Sequence, residues 1–252
     1  MPSEPAPAGA AGIFCSIVIP CYNEAENLRP LLSGFSAALK APDIELILVD
    51  NGSTDGTADL LRAAAAEFPF LRAVACEKNL GYGGGILAGL RAARGRCAGW
   101  THGDMQYSPA DVLEAAESLR EFGSEKIFLK GLRGNRTAAE HLFTAGMALF
   151  STLALGLPLR DINAQPTFFS RSLYEGWTAP PADFSLDLYA YADALRRGYR
   201  PIRRKVTLNR RRHGSSSWNR GLGDRLRLAG RMAAAILGIR GKLKGETGRQ
   251  DA

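Results

Sequence analysis

Residues 13–20 read Ile-Phe-Cys-Ser-Ile-Val-Ile-Pro, a short, β-branched and almost unbroken apolar run. A run of that length and composition predicts a strand buried on both faces. Asn23-Glu24-Ala25-Glu26-Asn27 then offers a cap and acidic first-turn residues for a helix reaching about Lys40. Ile44 to Val49 repeats the apolar run and stops at Asp50. The turn Asn51-Gly52-Ser53-Thr54-Asp55-Gly56-Thr57 caps a helix from Ala58 to Glu67. A third strand is expected at Leu71–Ala75. Gly81-Tyr82-Gly83-Gly84-Gly85 then leads into a helix ending near Arg94, and a fourth strand spans Cys97–Thr101 before His102-Gly103-Asp104.

Strand and helix thus alternate four times, the signature of a predominantly parallel, doubly wound α/β sheet. Beyond Asp104 the pattern predicts helix 109–122, strand 127–130, helix 137–155, strand 167–170, helix 186–197 and strand 201–207. A last helix is expected from about Leu222 to Leu243. The domain reading is a Pro/Ala/Gly-rich leader (1–12), one catalytic domain (13–220) and a basic amphipathic C-terminal helix and tail (221–252).

Charge adds an asymmetry. Residues 1–126 hold ten Lys and Arg against sixteen Asp and Glu, and residues 127–252 hold twenty-two against nine. The segment 196–244 carries sixteen basic residues and one acid, Asp224. Such a half calls for a polyanion or an anionic membrane surface. Nucleic acid is the weaker reading, since no interleaved aromatics or recognition motif accompany the arginines. The longest apolar stretch, Thr144–Leu159, is broken by glycine and hydroxyl residues and is shorter than the ~20 residues a membrane span needs. The leader lacks the basic start of a secretory signal. Cys15, Cys21, Cys76 and Cys97 form no C-x-x-C pair, which argues against a zinc site or disulfide framework and for a reducing, cytoplasmic setting, peripheral to the membrane at most.

The candidate chemistry sits after the strands, where open α/β sheets bind ligands. Asp50 ends the second strand. Asp104 follows the fourth, with Gln106 two residues on, and in extended chain the two point the same way. They could share one hard cation through oxygen ligands.

These segments resemble the inverting family 2 glycosyltransferases of the GT-A fold. Pro20-Cys21-Tyr22-Asn23-Glu24 is similar to that family's P-x-Y-N-E opening, and Val49–Thr57 to its V-D-D-G-S-x-D-G-T. Asn79–Gly85 is similar to N-x-G-x-G-x-A, and His102–Gln106 stands where D-A-D-L-Q belongs. The second half resembles the polyprenyl-phosphate (dolichyl-phosphate) sugar transferases more loosely. Asp161–Pro166 stands for D-x-T-S-G-F and Phe184–Asp187 for F-x-x-E. Arg211–Ser217 stands for R-x-x-G-x-S-K, with serine in place of lysine.

The resemblance implies a nucleotide-sugar donor bound by Pro20, Tyr22, Glu24, Asp50 and Gly81. It implies Mg²⁺ or Mn²⁺ held by Asp104 and Gln106. Arg211 and Ser216 would close over the diphosphate, and Arg133 with Arg136 would meet an acceptor phosphate or the donor. Asp187 matches the catalytic carboxylate of hydroxyl-accepting relatives. His102 replaces an aspartate and is open to three roles: metal ligand, donor contact or support. Asn51 replaces another, a change that removes a helix-terminal charge. The implied activity is transfer to a lipid-linked acceptor, foremost a polyprenyl phosphate. The alternatives are a hydroxyl acceptor with Asp187 as base, or a nucleotide-binding regulator without catalysis. The independent chemical argument is that a departing nucleoside diphosphate gains negative charge, which a cation and an arginine stabilise.

Overall fold

The computed structural model describes residues 12–123, 126–134 and 138–209 (138–143 as backbone), and the helical positions Gly230, Ala234, Ile236, Gly238 and Ile239. Its first four strands, β1 (Cys15–Cys21), β2 (Ile44–Asp50), β3 (Leu71–Ala75) and β4 (Cys97–Trp100), lie close to their expected places. They alternate with α1 (Ala25–Ala38), α2 (Thr57–Glu67) and α3 (Gly81–Ala92). The second half adds α4 (Pro109–Glu117), a 3₁₀ turn at Ser118–Phe122, β5 (Ile127–Arg133), α5 (Ala138–Leu155) and β6 (Thr167–Ser170). It ends with α6 (Arg171–Glu175), α7 (Leu186–Arg196) and β7 (Arg200–Val206).

The strands form one seven-stranded sheet in the order β3-β2-β1-β4-β6-β5-β7. β1, β2, β3 and β4 pair in parallel, and so do β5 and β7. β6 runs antiparallel to β4 and β5, so the sheet is predominantly rather than wholly parallel. Helix α6 carries no sequence signal of its own; its five residues turn the chain just after β6.

Alternation along the strands divides the core between two faces. Ile17, Ile19, Leu46 and Leu48 meet Leu28, Leu31, Phe35 and Val112 from α1 and α4. Val18, Ile47 and Val49 meet Ile86, Leu90, Leu188 and Tyr189 from α3 and α7, along with Trp100 and Phe128. The first half follows from its spacing: in α1 the apolar residues Leu28, Leu31, Leu32 and Phe35 repeat at helical intervals and are buried.

The expected C-terminal helix falls mostly outside the described residues, as do residues 1–11 of the leader. Ile236 and Ile239 are buried in the α3–α7 face, so at these two positions the C-terminal segment packs on the protein's own core. Among the described residues no helix is long and apolar enough to cross a membrane.

The register sets Cys21 beside Asp50 and Val18 beside Trp100. The carboxyl ends of β1, β2 and β4 therefore open side by side, and the three polar segments that follow them share one edge of the sheet.

Candidate active site

Side chains stitch the loops at that edge together. Asn23 takes a left-handed conformation (φ 54°). Its Oδ1 accepts from the Thr54 N–H at 2.8 Å, and its own N–H donates to Ser53 Oγ. The Glu24 N–H donates to Thr57 Oγ1 at 3.0 Å. The loops after β1 and β2 are thereby one rigid unit, built from residues that serve as caps and turns in the sequence.

Asp50 lies at the bottom of this unit. It is buried, and its Oδ1 accepts from the Ser53 N–H at 3.0 Å. Asn51 is buried too and reaches sideways. Its amide nitrogen donates to the Gly81 carbonyl at 3.0 Å, and its oxygen accepts from the Leu80 N–H at 3.1 Å. Only an amide can both give and receive here; the residue ties the β2–α2 turn to the start of α3. The substitution thus does more than remove a charge.

Gly81 (φ +78°) begins α3 in a conformation that suits glycine. Gly83 allows a close approach: a Cβ there would sit 2.7 Å from the Ala182 carbonyl carbon. The approach seats Phe184 against Tyr82, rings stacked at 4.6 Å and 9°.

Around these residues lies a cavity of about 450 Å³, lined by Pro20, Cys21, Tyr22, Glu24, Asn51, Asn79, Gly81, Tyr82, His102, Gly103, Asp104 and Phe184. Six residues expected to bind the donor or metal meet there: Pro20, Tyr22, Glu24, Gly81, His102 and Asp104. Tyr22 presents an open ring to the cavity, at 46% exposure. His102 lies between the rings of Tyr82 (5.7 Å) and Tyr107 (6.1 Å). Burial pushes the Tyr107 hydroxyl up to about 12, so it remains protonated at neutral pH.

Asp104 and Gln106 are not related by extended chain. Met105 is left-handed (φ 60°), and the Gln106 N–H donates back to Asp104 Oδ1 at 3.1 Å, closing an Asx turn. Gln106 Nε2 lies 3.5 Å from the Asn209 carbonyl, which joins this loop to the end of β7.

The remaining expected residues lie elsewhere. Asp50 sits beneath the turn and does not line the cavity. Arg133 pairs with Asp161 at 2.7 Å on the wall of a second cavity of about 440 Å³, shared with Leu132, Leu149 and Thr152. Arg136, Arg211 and Ser216 fall outside the described residues.

Asp187 is buried behind Tyr82. One oxygen accepts from the Tyr82 hydroxyl at 2.9 Å; the other accepts from Gln165 Nε2 at 2.8 Å and faces Lys130 Nζ at 3.3 Å. Burial, reinforced by the Asp187 charge, pushes the Tyr82 hydroxyl well above its ordinary value and keeps it a donor. From the sequence, Tyr82, Phe184 and Asn79 carry no assigned role in the site, and Asn51 carries only that of a lost charge. Their motif was read for its glycines, and Phe184 is distant along the chain.

The fold defined by this sheet and loop edge is that of the GT-A glycosyltransferases. The chain superposes on glucosyl-3-phosphoglycerate synthase from Mycobacterium tuberculosis with a TM-score of 0.69 at 22% identity, over 92% of this chain and 81% of that one. That enzyme was solved in complex with Mn²⁺, uridine diphosphate and glucosyl-3-phosphoglycerate.

Residues 16–128 match the Glycosyl transferase family 2 model, so the similarity to that family covers this part of the chain. Over 124 residues the chain is 36% identical to a dodecaprenyl-phosphate galacturonate synthase of Rhizobium johnstonii, covering 48% of this chain and 36% of that protein. Over 109 residues it is 42% identical to an undecaprenyl-phosphate 4-deoxy-4-formamido-L-arabinose transferase of Pseudomonas fluorescens, covering 42% and 32%. The match spans about a third of the length of these curated relatives.

Proposed function

We propose that the protein transfers a sugar, with inversion, from a nucleoside-diphosphate donor to a polyprenyl phosphate. The observation that carries this reading is the cavity at the carboxyl edge of the sheet. Tyr22 and Phe184 offer rings to it and Asp104 a carboxylate at its wall, while the amides of Asn51 and Asn79 hold its loops together. The donor's flat base and its polar sugar and diphosphate match such a lining. The relatives named above act on polyprenyl phosphates, which supports the acceptor half.

The wall's oxygen chemistry fits a divalent ion. Asp104 supplies a carboxylate at the cavity wall, whereas Gln106, turned back beside the Asn209 carbonyl, does not line the cavity. Among the described residues no three His, Cys, Asp or Glu side chains gather into a closed metal cage. That is the pattern of Mg²⁺ or Mn²⁺ held by one carboxylate and by substrate phosphates. Such an ion would neutralise charge on the departing diphosphate. Asp104 would orient it, with His102 held beside it by Tyr82 and Tyr107. Mn²⁺ suits a site with an imidazole nearby better than Mg²⁺ does.

A phosphate acceptor arrives ionised and needs no base. The engagement of both Asp187 oxygens favours such an acceptor over a hydroxyl. The second cavity suits it as well: its lining includes Arg133, paired with Asp161, and the apolar residues Leu132 and Leu149. Leu149, Phe150 and Leu153 of α5 are exposed, at 60%, 47% and 75%. With the basic residues of the second half they would rest on an anionic membrane surface, at its cytoplasmic face, where the lipid acceptor resides.

The test is sugar transfer by the purified full chain. It is incubated with Mn²⁺ or Mg²⁺, labelled UDP- and GDP-sugars and polyprenyl phosphate. Label should pass into the organic phase with one donor; no transfer with any donor would overturn the acceptor assignment.

A further inference from the structure

The fold buries a charged pair directly behind the donor cavity. Lys130 on β5 and Asp187 on α7 have side chains 1% and 4% exposed, with Nζ and Oδ1 3.3 Å apart. A buried ion pair gives little net stability, since desolvation offsets the attraction, yet breaking it leaves one charge stranded. Its presence calls for another explanation, and its contacts supply one.

Lys130 Nζ also donates to Thr167 Oγ1 at 2.8 Å, which anchors it on β6. Asp187 accepts from Gln165 Nε2 and from the Tyr82 hydroxyl. Gln165 Nε2 itself lies 3.2 Å from that hydroxyl. The chain of contacts thus runs from β5 and β6, through α7, to the first turn of α3. It ends on the ring that stacks against Phe184 in the cavity wall.

We propose that Lys130 is a positioning residue of the donor cavity: its ammonium balances and fixes Asp187, and Asp187 fixes Tyr82 and the Tyr82–Phe184 wall. This rests on the reading of that cavity as the donor site. On this assignment Asp187 takes no proton from an acceptor. Both its oxygens are committed to holding the wall, and the charge it would need for proton abstraction is balanced by Lys130.

The charged groups around Lys130 are Asp187 from α7, Arg203 from β7 and Asp161 from the loop before β6; the Tyr82 hydroxyl reaches it through Asp187. Burial pulls the ammonium down to about 8, with Asp187 opposing part of that pull. The strut therefore loses its cation at mildly alkaline pH.

Four proteins form a cycle, wild type, Lys130→Met, Asp187→Asn and the double variant, and a fifth, Tyr82→Phe, is measured beside it. UDP and GDP binding is titrated in the presence of Mn²⁺, and transfer turnover is followed alongside. Lys130→Met strands the carboxylate and should weaken nucleotide binding about tenfold or more. The double variant keeps an acceptor for the Tyr82 hydroxyl without either charge, and should recover to within roughly threefold of wild type. Wild-type affinity should fall as pH rises through about 8, a step that Lys130→Met lacks. Tyr82→Phe, which keeps the ring and needs no refolding of the interior, should weaken binding by several fold.

Two results overturn the proposal. One is Asp187→Asn and the double variant both losing ~10²–10⁴ of turnover, the size of a lost general base. The other is Lys130→Met and Tyr82→Phe binding within twofold of wild type. If wild type binds neither nucleotide, the donor reading fails instead. Denaturation of the same four proteins then still decides the strut: additive losses would refute it.

Discussion

Asn51 shows how far a single side chain reaches in this site. The family it resembles carries an aspartate at that position, yet here the amide donates to the Gly81 carbonyl and accepts from the Leu80 N–H. Asn51→Asp would set a carboxylate against a carbonyl oxygen. It should cost about 1–3 kcal/mol of stability, measured by urea denaturation, because a buried group loses its partner. Asp104 is the second test at this scale. Asp104→Asn preserves the size and removes the charge at the cavity wall, and should reduce turnover by ~10²–10³ with the fold intact. Lys130 supplies a pH prediction. In the unfolded chain it titrates at the ordinary 10.5, and in the folded protein at about 8. Between those values the unfolded state binds the extra proton, so folding stability rises with pH across that window. Relative to Lys130→Met, wild type should gain on the order of 3 kcal/mol from pH 8 to 10.5, at about 1.4 kcal/mol per unit. A flat difference would contradict the burial of the charge.

At the scale of elements, two helical glycines make opposite predictions. Gly83 in α3 faces the Ala182 backbone, where an added Cβ would stand 2.7 Å from a carbonyl carbon. Gly83→Ala should therefore separate α3 from the loop before α7 and destabilise by about 1–3 kcal/mol. Gly146 in α5 has nothing within 4 Å of such a Cβ. Gly146→Ala should stabilise by about 0.5–1 kcal/mol, the ordinary helix preference. Thermal melts of the two variants should move in opposite directions. The first four β-α steps are readable in the sequence because each strand is a short, mostly apolar run and each helix an amphipathic repeat. The antiparallel course of β6 is not, since Thr167–Ser170 has the same composition whichever way it pairs. Nor is the Asx turn at Asp104, which depends on Met105 accepting a left-handed backbone.

Across the whole molecule, the division of charge between the halves is accompanied by a division of position. The acidic half provides the cavity, through the ends of β1, β2 and β4. The second half provides its back wall, through Phe184, Asp187 and Lys130, and a second cavity beside Arg133. Motif residues at the front of the donor cavity were readable because their chemistry depends on local spacing. The strut behind it was not, because Tyr82 and Asp187 are 105 residues apart and meet only through the sheet. The central claim is that this cavity holds a nucleoside diphosphate through a divalent ion at Asp104. Calorimetric titration of UDP and GDP tests it most directly. Wild type with Mn²⁺ should bind one of them more tightly than ~1 mM, about −4 kcal/mol, and lose that binding with a chelator or in Asp104→Asn. Binding of neither nucleotide, or equal binding without metal and in Asp104→Asn, would contradict the account.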